Sequence, residues 1–384
     1  MSRPPPRRLH ATARRRAGAA LLLATLAGML PRIVLAEDYH REDLRIPFAA
    51  AGPRGLEALL IRPQSGGPRF PLALISHGSP RDGAERIKMS PYQFYAQALE
   101  FARRGFAAVV VMRRGYGASG GAAETGGPCG RRDYVAEARY SVADLKAAVD
   151  AMARRPDVTT DGMIAVGHSA GGFNTVALTA DPPPGLVAAI SFAGGRGSRA
   201  DNDVCQDNDL VSAFGVFGRT SHVPMLWVYA QNDKFFGPAL AWRLFSAFAA
   251  AGGKAEFLAA PAFGSEGHFL FSSGTADWPA MVDGFLAAHQ LGLRPPLDPP
   301  APPALAPPPQ LSASGRKDFA TYLAANPHKA FAVAANGAYA WRTRQRDADA
   351  AQAAAREACA KYRPDCVIYA VDDGLTREAG ARAR

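Results

Sequence analysis

Apolar runs of four to seven residues recur along the chain at 55–61, 71–76, 106–112, 163–167, 186–192, 225–229 and 255–258. Runs this short, without polar alternation, predict strands buried on both faces. Longer stretches between them carry apolar residues at spacings of three and four. Ala138, Val142, Leu145, Val149 and Met152 form one such stripe, which predicts a helix buried along one side. Further helices are expected at 92–104, 171–179, 238–250 and 278–290, and the first pieces after Asp38, including residues 44–48, read as edge strands entering antiparallel. Strand and helix in alternation predict an α/β fold, a mostly parallel sheet with helices on both faces.

The pattern stops at Arg294. Residues 294–315 hold nine prolines and almost no large apolar side chain, the composition of a semi-rigid linker. It divides a domain at 37–293 from a small unit at 316–384, which reads strand (330–335), helix (347–360), strand (366–371), an α+β domain of marginal size. Residues 1–36 contain seven arginines and no acid, an apolar run from Ala17 to Leu30, and small residues before Glu37. These are the parts of a signal peptide, with Glu37 as the expected mature start and no stable membrane span after cleavage. Without that segment the formal charge falls from +10 to 37 basic against 34 acidic residues, which gives no reason to expect a nucleic-acid partner. Export to the periplasm or beyond suits four cysteines. Cys359 and Cys366 share one short segment, leaving Cys129 and Cys205 as the other pair. No Cys-x-x-Cys spacing suggests zinc, and no cofactor is expected.

Candidate chemistry gathers where the expected strands end. The strand at 163–167 runs into Gly167-His168-Ser169-Ala170-Gly171 and a helix, a G-x-S-x-G sequence in a strand-turn-helix setting. Such a turn lifts a serine hydroxyl above the sheet edge, and small flanking residues let the backbone make it. Asp233 follows the strand at 225–229 and His268 lies in the loop after the next strand, giving the order serine, acid, histidine. Among eight histidines only His268 has both that order and that place. Glu266 and the aspartates at 201, 203, 207 and 209 compete with Asp233 for the acid role. Ile75-Ser76-His77-Gly78-Ser79-Pro80 leaves an earlier strand, so Ser79 N–H and Ala170 N–H are the candidate oxyanion donors, with Gly78 as the alternative to Ser79. Arg196, Phe235 and Phe236 are candidate substrate contacts, Arg196 for an acidic group.

With His77-Gly78, the run Arg114-Gly115-Tyr116-Gly117-Ala118-Ser119-Gly120, the elbow, Asp233 and His268, the chain resembles the α/β-hydrolase superfamily over residues 44–290. The likeness is to its dienelactone-hydrolase-like and prolyl-oligopeptidase-like branches. That resemblance implies an eight-stranded sheet and hydrolysis of an ester, thioester or amide through an acyl-enzyme. Two departures narrow it: a serine stands where dienelactone hydrolases commonly carry cysteine, and no lid-length insertion follows Phe192, so residues 196–219 form at most a small cap. The expectation is an exported carboxylesterase acting on a small or medium ester. A serine peptidase of prolyl-oligopeptidase type and a catalytically idle binding protein on the same scaffold are the alternatives. For the C-terminal unit, binding an unknown partner and acting as a passive appendage are both open.

Overall fold

The structure, a computed structural model, describes residues 39–377; the expected signal peptide lies outside them. Strand β1 (Tyr39–Ile46) pairs antiparallel with β2 (Leu56–Pro63), and β2 antiparallel with β4 (Ala107–Val111). From there every neighbour is parallel, through β3 (Phe70–Ser76), β5 (Val158–His168), β6 (Leu186–Phe192), β9 (Met225–Ala230) and β10 (Ala255–Ala260). The order across the sheet is β1-β2-β4-β3-β5-β6-β9-β10. Beyond β6 a short hairpin, β7 (Ser198–Ala200) with β8 (Asp203–Val204), stands apart from it.

Alternate residues of each strand feed opposite cores, as a period of two requires. Leu72, Leu74, Val109 and Val111 meet α2 (Tyr134–Ala153), α3 (Ala170–Thr179), α4 (Asp207–Gly218) and α5 (Pro238–Ala250). Ala73, Ile75, Val110 and Val166 meet α1 (Tyr95–Arg103) and α7 (Pro279–Ala288) on the other face, with the one-turn α6 (Leu270–Ser273) between β10 and α7. Strand β4, Ala-Ala-Val-Val-Val, is buried throughout because helices cover both faces, whereas β1 at the sheet edge alternates. All five residues of the Ala138 to Met152 stripe are buried on α2, whose first turn is capped by Asp133 Oδ1 accepting from Ala136 N.

Strand β1 begins at Tyr39, within the stretch after Asp38 that the sequence reads as entering antiparallel. Three details depart from the sequence reading. Helix α1 starts only at Tyr95, because Ser90 and Pro91 first wind a 3-10 turn over Pro91–Phe94. Residues 196–219 hold the β7-β8 hairpin and the twelve-residue α4, whose Leu210, Ala213, Phe214 and Phe217 are buried. The C-terminal unit has more than strand, helix, strand: α8 (Ala313–Ala324) and α9 (Ala348–Ala360) accompany a four-stranded antiparallel sheet, order β12-β11-β13-β14, with β11 at Ala330–Val333, β12 at Tyr339–Arg342, β13 at Val367–Val371 and β14 at Gly374–Leu375.

The proline-rich segment is held along its length: Leu297 N donates to Arg103 O, Tyr39 OH to Asp298 O, and Tyr369 OH to Ala306 O. The cysteines pair Cys129 with Cys205 and Cys359 with Cys366. Among the described residues no helix is long and apolar enough to cross a membrane, and no cluster of His, Cys, Asp and Glu could hold a metal ion.

Candidate active site

Ser169 sits between the last residue of β5 and the first of α3 at φ 58°, ψ −123°. That conformation costs a non-glycine residue about 1–3 kcal/mol and persists only where surroundings impose it. Here Ser169 N donates to Phe192 O at 2.9 Å, and Ser169 O accepts from Gly195 N and Phe173 N. A Cβ on Gly167 would strike Gly171 O, and one on Gly171 would strike Ser76 O, so the elbow's glycines are required by space. The hydroxyl is thereby presented at the start of α3, where the free N–H groups and helix dipole favour negative charge.

The loop after β3 crosses this serine closely; a Cβ on Gly78 would stand 3.1 Å from Ser169 Cβ. His77 fixes the loop. Its Nε2 accepts from Arg113 N (3.0 Å) while its Nδ1 donates to Gly78 O (2.6 Å), which defines a neutral ring protonated on Nδ1. Burial, then the charge of Arg113, hold the His77 pKa well below the usual histidine range. The next residue is pinned too: Ser79 Oγ lies 2.7 Å from Tyr116 OH, which donates onward to Glu124 Oε1 (2.8 Å).

Asp233 and His268 stand at the exits of β9 and β10. His268 Nδ1 is 3.1 Å from Asp233 Oδ2, while Asp233 Oδ1 accepts from Phe235 N (2.7 Å) and Phe236 N (2.9 Å). Burial pushes this carboxyl up, but His268 and the two backbone N–H groups outweigh it, leaving its pKa below the usual carboxylate value. Glu266 serves the loop backbone: Oε1 accepts from both His268 N and Lys234 N. Asp207 is exposed and pairs with Arg243, while Asp201 and Asp203 pair with Arg81 and Arg199. None of these competitors replaces Asp233 on the imidazole.

Among the described residues no hydrogen bond joins Ser169 Oγ to His268, a contact that is often loose without substrate. The elbow is tied to the His268 loop by its own His168, whose Nε2 donates to His268 O at 2.8 Å. Burial, then the neighbouring His268, lower the His168 pKa to about 3, so this ring stays neutral. Phe235 lies flat on the His268 imidazole, ring centroids 3.9 Å apart, and the Arg81 guanidinium covers the other face of Phe235 at 3.6 Å.

A cavity of about 290 Å³ opens over Ser169 and Ala170. Ser79, Arg196, Phe235 and Phe236 line it, as do Arg81, Arg86, Arg132 and Arg199. Arg196 is 5% exposed and bound to Glu124 (2.7 Å) and Glu137 (2.6 Å), so the wall it forms is tied into a buried ion network with Arg113 and Arg132. Arg114 is separate, bound to Asp144 under the turn. Sequence reasoning missed Tyr116, Glu124, Glu137 and Arg132; only the Gly115-Tyr116-Gly117 turn hinted at them. A larger depression of about 500 Å³ beyond Phe235, lined by Asn202, Asp207 and Arg243, contains none of the candidate catalytic side chains.

The serine elbow after β5, the acid after β9 and the histidine after β10, on an eight-stranded sheet whose first members are antiparallel, form one arrangement. Residues 52–215 also match the model of the X-Pro dipeptidyl-peptidase (S15) family, less than half of the chain. The architecture is that of the α/β-hydrolase fold. Solved structures similar to it include Est1E of Butyrivibrio proteoclasticus with ferulic acid bound (17% identity, TM-score 0.45, 61% of this chain and 95% of that one). The Pyrococcus furiosus esterase Pf2001 is alike at 12% identity and TM-score 0.43, over 66% of this chain and 90% of that one. The acylaminoacyl peptidase of Pyrococcus horikoshii is alike at 15% identity and TM-score 0.48, over 68% of this chain but 43% of that longer one. No curated protein matches this chain in sequence.

Proposed function

We propose that this protein is an exported serine hydrolase, a carboxylesterase of small or medium esters, with Ser169 as nucleophile, His268 as base and Asp233 as its orienting acid. The observation that carries the reading is the strained Ser169 at the start of α3, with the His268–Asp233 pair delivered by the exits of β10 and β9. Ser169 Oγ attacks the ester carbonyl as its proton passes to His268 Nε2. Asp233 Oδ2 holds the proton on Nδ1 and favours the imidazolium. The N–H groups of Ser79 and Ala170 hold the developing oxyanion. The alcohol then leaves with the proton from His268, and a water activated by the same imidazole releases the acid and restores the serine.

The S15 match favours a second reading, a peptidase acting at a free amino terminus. The cavity argues for the ester: its lining holds five arginines and no aspartate or glutamate to receive an ammonium group. The two disulfides support export to an oxidising compartment. A fluorophosphonate probe, followed by peptide mass mapping, tests the hydrolase: modification of Ser169 alone supports it, and folded protein that stays unlabelled sinks it. Graded esters and X-Pro dipeptide amides then separate esterase from peptidase.

A further inference from the structure

The same cavity carries a charge imbalance. The five lining arginines, with Arg113 sharing Glu124, are set against four carboxylates: Asp201, Asp203, Glu124 and Glu137. Two of those carboxylates, Asp201 and Asp203, form solvent-exposed pairs with Arg81 and Arg199, which neutralise weakly. Arg86 has no carboxylate partner among the described residues; it rests near the Tyr116 ring, and its Nε is buried without a hydrogen-bond acceptor. A guanidinium that lines a cavity without a carboxylate partner leaves its charge uncompensated there, and a planar carboxylate is the acceptor that matches its fork. Arg132 and Arg196 are held rigid by Glu137 and Glu124, so the cationic wall is preformed.

We infer that the cavity over Ser169 is a carboxylate subsite: the substrate is a compact ester that bears a free carboxylate, received by Arg86 on the wall that Arg132 and Arg196 complete. This rests on the hydrolase reading above and narrows it to one substrate class. A volume of about 290 Å³ is at the small end of ligand cavities, which limits the group beyond the carboxylate to a short chain or single ring.

Two measurements decide it. The first compares kcat/KM for mono(4-nitrophenyl) glutarate, an anion, with its neutral methyl ester. The anion should be preferred by at least about tenfold, as one charge-assisted hydrogen bond allows, and the preference should shrink in about 0.5 M salt. Arg86→Gln should lower that ratio by at least about tenfold, chiefly through KM, and Arg86→Lys by less. The second measures calorimetric binding of monomethyl glutarate and dimethyl glutarate to the full-length Ser169→Ala protein, where the anion should bind at least about tenfold more tightly. A wild-type ratio near one, or a ratio that Arg86→Gln leaves unmoved, overturns the subsite. Turnover of both esters without preference keeps the hydrolase and removes the subsite. Preferential binding of the anion with hydrolysis of neither ester keeps the subsite and removes the hydrolase. If Arg86→Gln does not fold, the wild-type ratio and its salt dependence still decide.

Discussion

At the residue scale two buried histidines around the elbow are kept from taking a proton. His77 and His168 are buried, each with a ring nitrogen bonded to a backbone group, and both are held below the ordinary histidine pKa. Their unfolded-state value is about 6.5, so as pH falls below it the unfolded chain gains protons that the folded chain refuses. The stability they contribute is complete above pH 6.5 and is lost toward the folded value, about 3 for His168. Each group adds up to about 1.4 kcal/mol per pH unit of destabilisation over that window. Urea unfolding at pH 7, 6, 5 and 4 should show this slope, and His168→Gln should reduce it; a flat profile would mean that one of the rings protonates in place. Asp233, depressed by His268, contributes stability that is lost only at lower pH still, below the usual carboxylate range. Its proposed orienting role is tested separately: Asp233→Asn should fold yet lose about 10³- to 10⁴-fold in kcat, while Asp207→Asn, whose partner is Arg243 on the surface, should lose under about tenfold. Near-normal turnover in Asp233→Asn would move the orienting role to another carboxylate.

Among the elements, those that burial dictates were legible and those fixed by partners were not. Val-rich runs such as 106–112 declare a central strand in any context, and the elbow needs no more than its glycines and the strand before it. Helix α4 was hidden because four aspartates crowd around Cys205, although Leu210, Ala213, Phe214 and Phe217 already carry helical spacing. The positions of Ser169, Asp233 and His268 could be read from motif and chain order. The buried Glu124–Arg196–Glu137 network could not, because its members are distant in sequence and each looks like a solvated charge. The Cys129–Cys205 bridge also acts at this scale. It closes a loop of sequence separation 76 and sets Arg132 against the β7-β8 side of the cavity, where Gln206 Oε1 accepts from Arg132 N and Gly130 N. Replacing both cysteines by serine should cost about 2–5 kcal/mol of stability and raise KM more than it lowers kcat; denaturant melts and steady-state kinetics measure the two effects. An unchanged KM would show that the bridge only stabilises.

For the whole molecule the question is what residues 294–377 do for a site whose proposed catalytic residues all precede them. From the sequence alone, a proline-rich tether and an independent appendage were the natural expectation, and a chain ending near Leu293 would keep its activity. The contacts argue for more than a tether. Arg103 both donates to and accepts from Leu297. Arg346 donates to Ile87 O, and the His328 ring meets Tyr92 at a centroid distance of 3.9 Å. These last two grip the segment between Gly83 and Phe94, the segment that brings Arg86 to the cavity wall. Both cores of the eight-stranded sheet draw their buried residues from before Leu293, so the shortened chain should still fold. Freed from Arg346 and His328, the 83–94 segment should lose order, and the loss should appear where Arg86 acts. A chain ending at Leu293 should therefore retain turnover of a neutral ester and show KM for mono(4-nitrophenyl) glutarate raised several-fold, with kcat little changed. The single change Arg346→Ala should move KM in the same direction by less, since His328 still holds Tyr92. Equal KM in the full-length and shortened proteins, with circular dichroism showing both folded, would mean that the C-terminal unit leaves the site alone.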